Sequence, residues 1–109
     1  MTTASAPSSA RDKVRAIAPK LIELTEQVLF GDVWERPGLS KRDRSLITVA
    51  ALVALNRSEQ LDGHLGRALD NGVTKDEIVE LITHLAFYSG WPTAMSAALL
   101  AKEVFAKRP

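Results

Sequence analysis

The chain has 109 residues, of which 14 are Lys or Arg, 13 are Asp or Glu and 46% are hydrophobic. This balance is enough for one domain with a real core, and it excludes a charge-driven role in binding nucleic acid or membrane surfaces. The sequence contains no cysteine, which excludes disulfide bonds, thiolate metal sites and cysteine nucleophiles together.

The N-terminal segment, residues 1–12, is rich in Ser, Thr, Ala and Pro and contains no apolar run. Because it lacks the apolar stretch of a signal peptide, we interpret it as a flexible tail on a cytoplasmic protein, followed by one domain over residues 13–109. The longest apolar run, from Leu46 to Leu55, is about half of the ~20 residues that a membrane span needs. We therefore predict no membrane-spanning segment.

Apolar residues after the tail recur at helical spacing, and the helices have recognisable ends. Pro19 fits the first position of a helix that runs to Gly31. Residues 35–39 contain Pro and Gly and predict a break. Ser40 is then expected to cap a helix that ends near Leu55.

The next stretch predicts a helix, a tight turn and the start of a further helix. Ser58 is the expected N-cap, and Asn71 with Gly72 is typical of a left-handed helix end. Thr74 and Glu77 form a capping box for the helix that follows. The predicted buried residues of these two helices are Leu61, Leu65, Ala68, Leu69, Ile78, Leu81, Ile82 and Leu85.

The last helix is predicted to begin at Pro92, after Gly90 has ended the one before it. The fold is therefore predicted to be all-α, a bundle of five to six helices. Two segments, Leu46–Leu55 and Pro92–Ala106, are apolar nearly all round, whereas a surface helix of a small monomer normally has a polar face. We therefore predict a homo-oligomer rather than a compact monomer.

Short motifs spread over about residues 19–106 give the sequence a family resemblance. They are Trp34-x-Arg36-Pro37-Gly38-Leu39, Arg44-Ser45-Leu46-Ile47-Thr48, Ala54-Leu55-Asn56-Arg57 running on to His64, Asn71-Gly72-Val73-Thr74, and His84 through Tyr88-x-Gly90-x-Pro92. Together and in this order they resemble the carboxymuconolactone decarboxylase family, part of the alkyl hydroperoxidase D-like superfamily. The resemblance implies an all-helical protomer that assembles as a hexamer (a trimer of dimers) or, as second choice, a trimer.

The redox branch of this superfamily depends on a Cys-x-x-Cys motif before its histidine. Arg57 and Gln60 occupy the two cysteine positions here, and Ser45 stands where that branch has the glutamate of its proton relay. Because the sulfur atoms and the carboxylate are both missing, thiol peroxidase chemistry is excluded. The chain looks more like the cysteine-free decarboxylases.

The resemblance implies a carboxy-lyase. In the namesake reaction a carboxylated lactone loses carbon dioxide, and the electron pair moves onto the lactone oxygen as a dienolate. Because the substrate itself accepts the electrons, we expect neither a metal nor an organic cofactor. The protein has to bind a dianion, stabilise the developing oxyanion and deliver one proton.

His64 is the candidate proton donor, since an imidazole with a pKa of ~6.5 suits proton transfer at neutral pH. The alternative is a half-buried structural histidine bonded to a carbonyl. Arg44 is the candidate anion-binding residue, because its forked donors suit a carboxylate; the alternative is an ion pair within the helix or between subunits. Arg36 is a weaker second cation, with solvation or pairing to Glu35 as the alternative.

Further candidates for substrate binding are His84, Tyr88 and Trp91, with Trp34 as another possible pocket wall. His84 is placed to donate to an oxyanion or to line the pocket, with a structural role as the alternative. The aromatic side chains stand at helix ends, where core or interface positions are the alternative. Each histidine is alone on its helix without a partner ligand at helical spacing, so we expect no metal site.

Three functions remain open at this point. The first is decarboxylation of a 4-carboxymuconolactone-like acid, with His64 protonating the dienolate. The second is a proton-transfer isomerase or cyclase that uses the same pocket without releasing carbon dioxide. The third is a non-catalytic oligomeric protein in which His64 and Arg44 bind a small anion.

Overall fold

The computed structural model describes residues 9–108, and within these residues it contains six α-helices and no strand. The helices are α1 (Ala10–Ile17), α2 (Pro19–Leu24), α3 (Lys41–Ala54), α4 (Ser58–Asp70), α5 (Lys75–Ser89) and α6 (Trp91–Ala106). A π-helical turn (Thr25–Leu29) and a 3-10 turn (Val33–Glu35) follow α2. The all-α prediction is confirmed.

The chain divides into two compact units, Met1–Gly38 and Leu39–Pro109. In the first unit, α1 begins at Ala10. Ser9 is its N-cap, and the Ser9 side chain accepts a hydrogen bond from the Asp12 amide. This helix was not predicted: it begins inside the proposed tail, whose residues 1–8 lie outside the described residues. The Arg15 side chain pairs with both Asp12 and Glu26 and links α1 to the π-helical turn.

The prediction of a helix from Pro19 to Gly31 is correct for its start, but the observed segment changes from α-helical to π-helical hydrogen bonding along its length. Pro19 occupies the first turn of α2, as predicted. From Thr25 onward the hydrogen bonds become π-helical, with the Phe30 amide donating to the Thr25 carbonyl five residues back. The Thr25 hydroxyl also bonds to the Leu21 carbonyl, a local contact that competes with regular helical bonding.

The second unit is a four-helix bundle. Helix α3 packs on α4 and α5, and α6 packs on the same two helices, so the four form a ring around one core. Apolar residues at helical spacing face inward on each helix. The buried core residues are Val49, Val53, Leu61, Leu65, Ala68, Val73, Ile78, Ile82, Ala86, Ala94, Ala97, Ala101 and Val104.

Most helix ends of this bundle agree with the sequence prediction. The Ser40 hydroxyl accepts from the Asp43 amide at the start of α3. Thr74 and Glu77 form the complete capping box before α5. Gly72 closes α4 with a φ of 97°, in the left-handed region that favours glycine.

Two predicted helix starts are shifted by one residue. Ser58 is the first residue of α4 and not its N-cap; Arg57 takes the N-cap position, without a side-chain cap. The preceding Asn56 has a φ of 56°, and the Arg57 amide bonds back to the Leu52 carbonyl. With Asn56 in this left-handed conformation at the end of α3, Arg57 becomes the N-cap and α4 begins one residue earlier than predicted. Helix α6 likewise begins at Trp91, one residue before Pro92.

None of the helices in the described part of the chain is long and apolar enough to cross a membrane.

Candidate active site

A buried hydrogen bond joins the beginning of α3 to the end of α4. The Asn71 side-chain amide donates to the Ser45 hydroxyl at 2.9 Å. Ser45 is 1% exposed and is the one buried polar residue among those described. A bond between two side chains in such surroundings fixes both helices, because breaking it leaves a polar group unsatisfied.

The rotation of α3 is set by its contacts on two sides. Arg42 forms an ion pair with Glu77 of α5, so this side of α3 faces α5. Successive residues of an α-helix are rotated by about 100°, so Arg44, two residues later, points roughly the opposite way from Arg42. Ser45 lies about 60° from Arg42 and about 100° from Arg44 around α3, and it contacts Asn71 at the end of α4.

The rotation of α4 follows from the same kind of evidence. A Cβ atom added at Gly66 would lie 3.0 Å from the Arg108 guanidinium, so this side of α4 faces the end of α6. His64, two residues earlier, points roughly the opposite way. Asn71, two turns after His64 and on the same side, reaches α3. His64 therefore lies on the side of α4 that faces α3.

We use the name α3–α4 seam for the Ser45–Asn71 hydrogen bond, which joins the two helices, together with Arg44 beside it on α3 and His64 and Arg67 on α4. Arg44, His64 and Arg67 are all half-buried. The Nε atom of Arg44 and the Nδ1 atom of His64 are buried, and each of the three residues also takes part in other interactions. The seam thus combines two guanidinium groups and one imidazole at the edge of the core.

The environment of His64 favours its neutral form. Burial lowers the pKa of His64 below its usual value, and the positive charge of Arg67 lowers this pKa further. Both effects have the expected sign, because a cation is disfavoured in apolar surroundings and next to another cation. In the free protein the imidazole is therefore neutral at neutral pH, and it gains a proton more readily once negative charge is brought close to it.

Arg67 is the residue that the sequence analysis missed. It stands one turn after His64 on the same side of α4, and its charge acts on the imidazole. The three-residue spacing from His64 was a visible signal. Sequence reasoning passed over it because a cation at this position of an amphipathic helix is normally solvated.

The other predicted site residues lie on a different surface. The His84 and Tyr88 rings are in tilted contact, with their centroids 4.9 Å apart, and Phe87 meets Trp91 edge to face at 5.3 Å. Tyr88 is 77% exposed and Trp91 is 57% exposed. His84 is also exposed, so these side chains lie at the surface of the described structure.

Arg36 and Trp34 belong to the first unit. Arg36 follows the 3-10 turn, with extended backbone and an exposed side chain. Trp34 is buried, with its ring centroid 5.8 Å from that of Phe30. This burial agrees with a core position, which the sequence analysis gave as the alternative to a pocket wall for Trp34. The role of Arg36 in substrate binding stays a prediction.

The turn between α3 and α4 holds a cavity of about 330 Å³ lined by residues 56–60. Its lining includes Arg57 and Gln60, the two positions of the redox motif, and both side chains are exposed. This turn therefore presents a guanidinium and an amide where the redox branch has thiols. Among the described residues, no three His, Asp or Glu side chains form a cluster that could hold a metal ion.

Comparisons with known proteins show the family of the chain. The model of the carboxymuconolactone decarboxylase family matches residues 19–103, and the chain belongs to this family. A 4-carboxymuconolactone decarboxylase from Acinetobacter baylyi is 50% identical over 76 residues, which are 70% of this chain and 57% of that protein.

Two further relatives show the range of the family. The nitrosuccinic acid decarboxylase npaB from Metarhizium robertsii is 36% identical over 81 residues, covering 74% of this chain and 57% of that protein. A 15.0 kDa Paracoccus denitrificans protein from the nqo9-nqo10 intergenic region is 31% identical over 83 residues, 74% of this chain and 62% of that protein. The chain thus spans less than two thirds of the length of these relatives.

Proposed function

We propose that this chain is a decarboxylase of small, doubly charged carboxylic acids and acts at the α3–α4 seam. The observation that carries the proposal is the similarity to two relatives named as decarboxylases, at 50% and 36% identity. A 4-carboxymuconolactone-like acid is the first choice of substrate, because the more similar of these two relatives is named for it.

The two acids in the relatives' names share one chemical property. Loss of carbon dioxide leaves an electron pair that can move onto the oxygen of an electron-withdrawing group, a lactone carbonyl in one acid and a nitro group in the other. The substrate therefore supplies its own electron sink. What the protein has to supply is binding of two negative charges, stabilisation of the new oxyanion and one proton.

His64 is the proposed proton donor. In the free protein its pKa is lowered, first by burial and then by Arg67. Two bound carboxylates act in the opposite direction and raise this pKa, so the dianion and the proton assist each other's binding. When the carbon–carboxyl bond breaks, the electron pair moves to the electron-withdrawing group. The imidazolium proton then passes to the carbon atom, and His64 returns to its neutral form.

Arg44 is the proposed ligand of a substrate carboxylate. Its half-buried side chain, one residue before Ser45 on α3, supports this role, because a guanidinium in low-dielectric surroundings binds a carboxylate more strongly than one in water. Arg36, His84, Tyr88 and Trp91 remain proposed as additional substrate-binding residues. The exposure of the last three on one protomer means that they would need cover from another chain.

We also propose a homo-oligomer, with a hexamer as first choice and a trimer as second. Large apolar side chains are exposed along both helices of the α5–α6 hairpin. They are Val79, Phe87, Tyr88, Trp91, Met95 and Leu99. A groove of about 300 Å³ continues between the two helices, lined by residues that include Ala98 and Phe105. Large apolar side chains exposed in such number on two neighbouring helices are typical of a protein–protein contact.

The test is to incubate the purified chain with 4-carboxymuconolactone and to measure carbon dioxide release and the ultraviolet spectrum of the product. We expect carbon dioxide in proportion to the substrate consumed, and loss of this activity in His64→Gln. Substrate conversion without carbon dioxide would favour an isomerase or cyclase. Saturable binding without any conversion would favour an anion-binding protein.

A further inference from the structure

We propose that a second copy of this chain covers the groove of the α5–α6 hairpin, and that the covering segment is the apolar side of its α2 and π-helical turn. The proposal rests on the proposed homo-oligomer, since it names the two surfaces through which copies associate. It assigns a partner to exposed side chains in both units, and its test needs no substrate.

The first surface is an apolar stripe on the first unit. Leu21, Leu24 and Val28 are exposed on a single chain, whereas Ile22 between them is buried. Their positions are i, i+3 and i+7 of one continuous helical segment, made of α2 and the π-helical turn, so the three side chains lie on one side of it. This is the anchor pattern of a helix that binds in an apolar groove of a partner.

The second surface is the groove of about 300 Å³ between α5 and α6. Its lining is apolar except for Thr83 and Lys102. Ala98 and Ala101 in this lining have small side chains, which let a further helix approach α6 closely. Val79, on the α5 side of the lining, is exposed on a single chain. The groove therefore offers apolar contacts to a helix that presents leucine and valine side chains.

The charges of the two surfaces are complementary. Residues 19–35 contain four acidic side chains and one basic side chain, while the groove lining contains Lys102. Asp32 follows Val28 by one turn, because the Asp32 amide bonds to the Val28 carbonyl at 3.1 Å. Within the described residues, neither Asp32 nor Lys102 takes part in an ion pair. We therefore expect Asp32 of one protomer to pair with Lys102 of the other.

Both surfaces belong to the same chain, so two copies can exchange them. In a pair with two-fold symmetry, the stripe of each protomer meets the groove of the other, and every contact occurs twice. This doubling brings a contact made by one short helix closer to the ~1,200–2,000 Å² of a stable interface. A trimer of dimers contains such a pair.

The experiment exchanges the charges of the expected pair in the intact chain. Sedimentation velocity over a dilution series measures the association of the wild type, of Asp32→Lys, of Lys102→Glu, and of an equal mixture of the two variants. Lys13→Glu is the matched control, because Lys13 is an exposed lysine on α1 and its replacement changes the net charge by the same amount as Lys102→Glu.

Each charge variant alone should associate about tenfold more weakly than the wild type or worse, because a like-charge contact replaces the ion pair twice in each dimer. The mixture should regain most of this loss. In a mixed pair the introduced lysine meets the introduced glutamate, and the native Asp32 of one chain meets the native Lys102 of the other. Lys13→Glu should associate like the wild type and should not rescue Asp32→Lys.

The apolar stripe is tested by Leu24→Ser. Loss of a central apolar anchor should raise the dissociation constant by about 30-fold. Ile17→Ser is the control, since Ile17 is an exposed residue of α1 outside the stripe, and it should associate like the wild type. Circular dichroism shows whether each variant is folded, and the charge variants carry the test if Leu24→Ser is not.

The proposal is overturned if mixing the two charge variants gives no gain in association, or if folded Leu24→Ser associates like the wild type. In either case a wild type that sediments as an oligomer keeps the homo-oligomer proposal and removes only this contact. A wild type that is monomeric at every concentration removes both. A gain on mixing without turnover of 4-carboxymuconolactone supports the contact while the decarboxylase proposal fails.

Discussion

The two histidines of this protein occupy very different surroundings. His64 lies half-buried on the α3–α4 seam, with a buried Nδ1 atom and the charge of Arg67 beside it. His84 lies exposed on the α5–α6 hairpin in ring contact with Tyr88, itself 77% exposed. The sequence analysis had assigned both histidines to one site.

This difference separates two kinds of surface. The seam combines cations and an imidazole with partial burial, conditions that strengthen charge interactions and shift pKa values. The hairpin combines aromatic and aliphatic side chains with exposure, conditions that favour coverage by another chain. We therefore expect variants at the seam to change chemistry and binding, and variants on the hairpin to change assembly first.

The largest expected effect comes from the seam histidine. His64→Gln should lower kcat by about 10²- to 10⁴-fold, because it removes the proposed general acid and keeps a side chain of similar size. Steady-state kinetics with 4-carboxymuconolactone measures the loss. The matched control is His84→Gln, which should lose much less activity. An equal loss in both variants would place both histidines in one site, contrary to the separation described above.

Arg44→Met should act mainly on binding. Loss of one charge-assisted contact raises KM by about 10- to 100-fold, with a smaller change in kcat, because the contact exists before and during the reaction. Arg57→Met serves as the control, since Arg57 is an exposed arginine with no proposed role in substrate binding. A normal KM in Arg44→Met, or an equal rise in both variants, would argue against Arg44 as the carboxylate ligand.

The pH dependence sharpens the account of His64. Burial and then Arg67 lower its pKa in the free protein, so the acidic form required for proton donation is lost as pH rises through a value below ~6.5. Above that value kcat/KM should fall about tenfold per pH unit, while the corresponding fall in kcat should begin at higher pH, because bound carboxylates raise the pKa. If kcat and kcat/KM fell over the same pH range, bound carboxylates would not raise the pKa of His64.

On the hairpin, Trp91→Ser should weaken the proposed assembly. An aromatic side chain at the centre of an interface typically contributes about 2 kcal/mol or more, which corresponds to at least ~30-fold in the dissociation constant. Sedimentation velocity over a dilution series measures the shift. Ile17→Ser is the control, because Ile17 is 85% exposed on α1 of the first unit. A wild-type chain that sediments as a monomer at every concentration would remove the oligomer proposal.

The smallest effect concerns the bond that joins the two helices of the seam. Asn71→Ala should destabilise the protein by about 1–3 kcal/mol, since it leaves the buried Ser45 hydroxyl without its donor. A double-mutant cycle with Ser45→Ala in urea unfolding gives the coupling energy. Gln60→Ala, at an exposed amide on α4, should stay within about 0.5 kcal/mol. If the free-energy losses of the two single variants simply add in the double variant, the hydrogen bond between Ser45 and Asn71 contributes no coupling energy in solution.

Several helix ends were predictable because they depend on neighbours in the sequence. The Ser40 cap and the Thr74–Glu77 capping box each use side chains within three residues of the amide that they satisfy. Where the prediction failed, a second local arrangement competed with the first. Asn56 took the left-handed conformation and moved the start of α4 from the predicted cap to Arg57.

The sequence alone therefore determined the all-helical class, the family resemblance and the choice of His64, because periodicity, caps and ordered motifs are short-range properties of the chain. Only the tertiary structure decided that Ser45 meets Asn71, that Arg67 acts on His64, and that His84, Tyr88 and Trp91 are exposed. The physical reason is that these facts depend on the rotation of packed helices. Contacts between residues far apart in the sequence, such as Ser45 with Asn71 and Arg42 with Glu77, set that rotation.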